Sequence, residues 1–118
     1  GIDGQISSFL GQAAPDRENW AIVGDLTALY DLSSLWALRH VSAPVRLVIV
    51  NNHGGRIFER MFGNPRFQNR HDLGFEGLAK MWGVEHATTI PSAWGASAPS
   101  RASPAKGRVG GGAGYRRI

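Results

Sequence analysis

Two short apolar segments, each followed at once by polar turn residues, set the framework of this chain. Residues 20–23 (Trp-Ala-Ile-Val) lead into residues 24–25 (Gly-Asp). Residues 45–50, rich in β-branched side chains, lead into residues 51–52 (Asn-Asn). Both segments have the length and composition of buried strands.

The residues between these strands predict a crossover helix. Large apolar side chains recur at near-helical spacing over residues 28–40, and we expect the helix to begin near Thr27 or Asp31. Strand, helix and strand form a right-handed βαβ unit with parallel strands, so both polar turns open on one edge of the sheet. Weaker patterns predict helices at residues 4–13 and 75–82 and a strand at residues 84–89. The fold class is therefore α/β, with a partial doubly wound parallel sheet.

Charge and composition divide the chain at residue 91. Residues 1–91 carry eight Lys and Arg against nine Asp and Glu, whereas residues 92–118 carry five basic residues and no acid. The basic balance thus belongs to the tail, and a basic nucleic-acid-binding face is not indicated for residues 1–91. The tail is rich in Gly, Ser, Ala and Pro, so we expect it to be disordered. No apolar run approaches the ~20 residues of a membrane span, and the absence of cysteine excludes disulfides and thiolate metal sites.

The polar turns at the two strand ends form a candidate metal site. Asp25 offers a carboxylate, Asn52 an amide oxygen and Gly54 a backbone carbonyl. Three such oxygens on adjacent turns suit Mg²⁺ or Ca²⁺. We expect Gly54 and Gly55 to adopt positive φ, and the helix N-terminus near Thr27 to favour a phosphate. Either turn alone would be an ordinary loop, but their placement at the ends of one βαβ unit makes the pattern specific.

This pattern resembles the signature of thiamine-diphosphate (ThDP) enzymes, which is Gly-Asp-Gly followed, after about two dozen residues, by Asn-Asn. Here Asp25 and Asn52 lie 27 positions apart, as the family's two metal-binding side chains do. The resemblance implies that Asp25, Asn52 and the Gly54 carbonyl hold Mg²⁺, which clamps the cofactor's diphosphate. Leu26 departs from the family pattern, where glycine is usual.

Four segments narrow the resemblance to one branch of the family. Residues 1–4, 24–32, 41–44 and 51–58 are similar to the 2-succinyl-5-enolpyruvyl-6-hydroxy-3-cyclohexene-1-carboxylate synthases of menaquinone biosynthesis. These enzymes decarboxylate 2-oxoglutarate and add the succinyl unit to isochorismate. The branch implies a cytoplasmic homo-oligomer that acts on these small molecules, with no membrane and no specific nucleic-acid partner.

The same resemblance implies that five residues lie near the cofactor or the substrate. Ile2 would support the bent cofactor, Leu26 and Thr27 would line its diphosphate and pyrimidine region, and Ile57 and Phe58 would lie near the substrate. The family's activating glutamate lies in a separate pyrimidine-binding domain. We therefore expect this chain to be a piece of a longer enzyme, with no catalytic residue of its own and no turnover alone.

Two other hypotheses remain open. A generic doubly wound nucleotide binder would need a glycine-rich phosphate loop after the first strand, which residues 24–26 do not provide. A non-catalytic α/β remnant could bind nucleic acid non-specifically through residues 92–118. Among other residues we favour only Arg56 for contact with an acidic substrate. We interpret the four histidines as surface or loop residues, Asp31 as serving a helix or turn, and three tryptophans as core or interface residues: Trp20, Trp36 and Trp82.

Overall fold

The computed structural model describes residues 1–88 and the backbone of Arg116–Arg117. Its centre is a parallel pair of strands, β1 (Asn19–Gly24) and β2 (Val45–Val50), paired in register from Asn19 opposite Val45 to Gly24 opposite Val50. This pairing confirms the predicted α/β class. Both strands end at the same edge of the sheet.

The other elements surround this pair. The α-helices are α1 (Gln5–Gln12), α2 (Asp25–Tyr30) and α3 (Glu76–Trp82), and 3₁₀ helices span Leu32–His40, Arg56–Phe58 and Pro65–Gln68. A second parallel pair joins β3 (Val84–Glu85) to β4 (Arg116–Arg117). The predicted helices at residues 4–13 and 75–82 and the two central strands are thus confirmed to within one or two residues at each end.

The crossover differs from the single helix predicted over residues 28–40. It begins earlier, with α2 at Asp25, and then continues as the 3₁₀ helix Leu32–His40 after a break at Asp31. The cause is tertiary, because the buried Asp31 carboxylate accepts hydrogen bonds from the Ser7 backbone N–H at 2.8 Å and from the Ser7 hydroxyl at 3.3 Å. Asp31 therefore serves a helix, as predicted, but the helix is α1.

One face of the β1–β2 sheet packs on the core and the other is open. Val45 and Leu47 are buried beside helical residues such as Ile6 and Leu35. On the opposite face Ile22 is 73% exposed and Trp20 is 58% exposed. Strands of parallel sheets are usually covered on both faces. An apolar sheet face that is open to solvent, as here, is therefore uncommon.

The sequence expectations for the tryptophans, for the strand at residues 84–89 and for the tail have different outcomes. Of the three tryptophans interpreted as core or interface residues, Trp82 packs against the core, whereas Trp20 and Trp36 are exposed in this chain and their place at an interface stays a prediction. The predicted strand at residues 84–89 is only two residues long within the described part. The expected disorder of residues 92–118 concerns residues outside the described ones, apart from the two residues of β4. None of the helices in the described part is long and apolar enough to cross a membrane.

Candidate metal and diphosphate site

The parallel register brings the two predicted turns together at one edge. Asp25 directly follows β1, and residues 51–55 follow β2. Because Gly24 pairs with Val50, the chain leaves both strands at the same level. The ends of adjacent parallel strands are where open α/β sheets bind ligands.

Asp25 lies buried at the back of this edge, with 3% of its surface exposed. Its Oδ1 accepts a hydrogen bond from the Leu26 N–H at 2.7 Å, and its Oδ2 accepts one from the Gly54 N–H at 2.8 Å. Burial by itself would raise the pKa of this carboxyl, but the N–H groups of Gly54 and Leu26 and the nearby His71 more than offset it, so the pKa is lowered. Asp25 is therefore a carboxylate at neutral pH.

The Asn52 side-chain amide and the Gly54 carbonyl form a cluster with the Asp25 carboxylate. With its amide oxygen turned inward, Asn52 places that atom 3.3 Å from Asp25 Oδ2 and 2.7 Å from the Gly54 carbonyl oxygen. With the amide turned the other way, the nitrogen donates to both of these oxygens over the same distances. The hydrogen bonds favour the orientation with the nitrogen inward, whereas the orientation with the oxygen inward brings three acceptors together and would need a cation between them.

The spacing of these oxygens suits a small divalent cation. Octahedral Mg²⁺ has Mg–O bonds of about 2.0–2.1 Å, which puts neighbouring ligand oxygens about 2.9 Å apart. The observed separations of 2.7 and 3.3 Å bracket that value. Residues 1–88 contain no group of three His, Cys, Asp or Glu side chains that could hold a metal. The candidate ligands here are instead one carboxylate, one side-chain amide and one backbone carbonyl. Asp25 is buried while Asn52 is exposed, which leaves the cluster open to solvent on one side.

The turn after β2 has the unusual backbone that the carbonyl arrangement requires, but not at every predicted residue. Gly54 has a φ of 129°, as expected, whereas Gly55 has a φ of −77° and the prediction of positive φ there is wrong. The second positive φ, 66°, belongs to His53. A Cβ on Gly54 would lie 2.7 Å from the Gln68 carbonyl oxygen, so both conformation and space require glycine at this position.

Gly55 serves the site through close packing instead. A Cβ at this position would lie 3.2 Å from Leu26 Cδ1 and 3.3 Å from Phe58 Cδ2. The structure thus brings Leu26 and Phe58 together beside the oxygen cluster. Ile57, on the same 3₁₀ helix, is 75% exposed.

Thr27 and Ile2 are the other residues predicted to contact the cofactor. Thr27 is half-buried in α2, two residues after Asp25, and Ile2 lies ahead of α1 with 40% of its surface exposed. Helix α2 begins at Asp25 rather than near Thr27, and the Leu26 N–H in its first turn is taken by the Asp25 carboxylate. Helix α2 has six residues, and the phosphate expected at its N-terminal end stays a prediction.

Two residues of the surrounding loops need separate mention. Arg56 donates from Nε to the Asn52 backbone carbonyl at 3.1 Å and so supports the turn. His71, interpreted from the sequence as a surface or loop residue, does lie in a loop, but its side chain is only 11% exposed and its Nε2 is 3.3 Å from Asp25 Oδ2. Sequence reasoning missed His71 because no local pattern links it to Asp25, and only the fold brings the two together.

Comparison with known proteins agrees with this geometry. Residues 5–108 match the family described as "Thiamine pyrophosphate enzyme, C-terminal TPP binding domain", a match that runs past the boundary predicted at residue 91. Three relatives are each named 2-succinyl-5-enolpyruvyl-6-hydroxy-3-cyclohexene-1-carboxylate synthase. The one from Bdellovibrio bacteriovorus is 60% identical over 83 residues, or 70% of this chain. Those from Photorhabdus laumondii and Roseiflexus castenholzii are 42% and 41% identical over 80% and 87% of the chain.

The chain spans only 16%, 17% and 20% of the lengths of these three relatives. The family match nevertheless covers most of the chain, including both turns that form the oxygen cluster. This chain therefore belongs to the thiamine pyrophosphate enzymes, and it falls within their C-terminal TPP-binding domain.

Proposed function

We propose that this chain holds the diphosphate of ThDP through Mg²⁺, with the metal bound by Asp25, Asn52 and Gly54. The observation that carries the proposal is the convergence of the Asn52 side-chain amide on Asp25 Oδ2 at 3.3 Å and on the Gly54 carbonyl oxygen at 2.7 Å. Turning that amide so that its oxygen faces inward would present three oxygens to a cation. Three protein oxygens leave half of an octahedral shell free. Phosphate oxygens and water would fill the remaining positions, as is usual for Mg²⁺ bound with phosphate ligands.

The surroundings of the cluster support a cofactor site rather than a bare metal site. Leu26 and Phe58 offer apolar surface next to the oxygens, and we infer that Leu26 and Thr27 line the bound cofactor. Ile57 and Phe58 are both exposed to solvent, which suits contact with a substrate. Ile2 is assigned to support of the cofactor through the family resemblance alone.

The relatives' names suggest the reaction of the whole protein. We infer that the protein containing this chain decarboxylates 2-oxoglutarate and joins the succinyl unit to isochorismate, as a cytoplasmic homo-oligomer. When bound, ThDP supplies this chemistry by accepting the electron pair released on decarboxylation. This chain's part is to fix the cofactor in place, and no residue described in it is assigned a proton-transfer or bond-making role. We therefore expect the chain by itself to bind cofactor without turning over substrate.

Titration calorimetry with ThDP, in the presence and absence of Mg²⁺, tests the binding proposal. We expect heat of binding only with Mg²⁺, and a loss of at least about 100-fold in affinity for Asp25→Asn, because a neutral amide replaces the charged ligand. Asp16→Asn is the matched control, since Asp16 is an exposed carboxylate that lies beyond the opposite end of β1 from Asp25 and pairs only weakly with Arg17. Binding that is equally strong without Mg²⁺, or unchanged in Asp25→Asn, would contradict the proposal.

A further inference from the structure

His71 lies directly against the carboxylate at the centre of the site. Its Nε2 is 3.3 Å from Asp25 Oδ2, and the two side chains are only 11% and 4% exposed. The pair is therefore nearly shielded from water. A polar contact in such surroundings is stronger than one at the surface.

The orientation of the imidazole is fixed by its neighbours. His71 Nδ1 accepts a hydrogen bond from the Leu73 N–H at 3.2 Å, and the His71 backbone N–H donates to the His53 carbonyl at 3.4 Å. The His53 ring also packs edge-on against the His71 ring, with centroids 6.1 Å apart. Because a neutral imidazole that accepts at Nδ1 carries its proton on Nε2, the N–H faces Asp25.

The His71 Nε2–H has no other hydrogen-bond acceptor within the described part of the chain. Nε2 of His71 is fully buried, and among the described residues it makes no hydrogen bond of good geometry. A buried donor without a partner costs about 1–3 kcal/mol. The nearest acceptor is Asp25 Oδ2, which already accepts from the Gly54 N–H at 2.8 Å.

We propose that His71 is a positioning residue, which directs its Nε2–H to Asp25 Oδ2 and so holds the carboxylate toward the cation. The inference rests on the proposed metal site and extends it to a residue that does not itself bind the metal. Together with the N–H groups of Leu26 and Gly54, His71 would hold the carboxylate in one orientation beside Asn52 and Gly54. Partners of this kind typically change metal affinity by about 10–100-fold.

Two variants of His71 separate positioning from bulk. His71→Leu removes the N–H, whereas in His71→Gln the amide nitrogen stands near the position of Nε2 and keeps a donor. His40→Leu is the matched control, because His40 is an exposed histidine at the end of the 3₁₀ helix Leu32–His40. Free Mn²⁺, measured by electron paramagnetic resonance in the presence of ThDP, gives the metal affinity of each chain.

We expect the Kd for Mn²⁺ to rise about 10–100-fold in His71→Leu and to stay within about threefold of wild type in His71→Gln and His40→Leu. An unchanged Kd in a folded His71→Leu chain, with wild-type binding intact, would overturn the positioning role alone. A wild-type chain that binds no Mn²⁺ would overturn the proposed function, and the positioning role with it.

A second measurement needs no variant. Nitrogen NMR of ¹⁵N-histidine-labelled wild-type chain reports which ring nitrogen carries the proton. We expect His71 to be protonated at Nε2, with Nδ1 as the acceptor. A proton on Nδ1 would overturn the proposal even if His71→Leu failed to fold.

Discussion

Replacing Gly54 with alanine should damage both the fold and the site. The φ of 129° is a conformation that residues with a side chain rarely adopt, and holding one there costs about 1–3 kcal/mol. The new Cβ would also lie 2.7 Å from the Gln68 carbonyl oxygen and 3.1 Å from Arg70 Cα, both backbone atoms that a rotamer change cannot move. We therefore expect Gly54→Ala to lower the free energy of unfolding by about 2–4 kcal/mol.

Gly77→Ala provides a control of opposite sign. Gly77 lies within α3, and a Cβ there would meet nothing within 4 Å. Alanine at this position should raise the free energy of unfolding by roughly 0.5–1 kcal/mol, because it reduces the freedom of the unfolded chain and favours the helix.

Urea unfolding followed by far-UV circular dichroism measures both variants. With a slope of about 1–3 kcal/mol per molar, the Gly54→Ala midpoint should fall by about 1 M or more, and the Gly77→Ala midpoint should rise. A Gly54→Ala midpoint within about 0.3 M of wild type would refute the argument that backbone geometry excludes a side chain here.

Three further predictions concern buried and exposed groups. Asp31→Ala removes the acceptor for Ser7 and should lower the free energy of unfolding by about 0.5–2 kcal/mol in urea titrations, and no change would exclude a capping role. The folded-state pKa of Asp25 is below its ordinary value of 3.8, so the stability it contributes is complete above that value and is lost as the pH falls through the folded pKa. Acid titration should therefore show a loss of stability below about pH 4 that is smaller in Asp25→Asn, and parallel curves would contradict the lowered pKa. Ile22→Thr should reduce binding of a hydrophobic dye to the open sheet face, where Ile22 is 73% exposed, and undiminished fluorescence would show that the dye binds elsewhere.

Strand β2 was predicted correctly because its β-branched run is a strong local pattern. The weaker patterns at residues 4–13 and 75–82 also predicted α1 and α3 without tertiary information. The break in the crossover at Asp31 was missed because it depends on Ser7 of α1, which is distant in sequence. Helix propensity cannot reveal such a contact.

The site also has features that the sequence predicted and features that depend on tertiary packing. The proximity of Asp25, Asn52 and Gly54 was predicted correctly because the ends of parallel strands meet, which the βαβ pattern already implies. The positive φ at His53 in place of Gly55, and the burial of His71 against Asp25, follow from the packing of residues 68–73 on the turn after β2. That packing joins two irregular segments, for which no periodic signal exists.

Crystals of the chain grown with ThDP and Mn²⁺ test the central claim most directly, because anomalous scattering locates Mn²⁺ independently of the protein atoms. We expect one anomalous peak bonded to the Asp25 carboxylate, the Asn52 amide oxygen and the Gly54 carbonyl, with diphosphate oxygens on its other side. A metal peak away from these three oxygens, or a diphosphate bound without metal at this edge of the sheet, would contradict it.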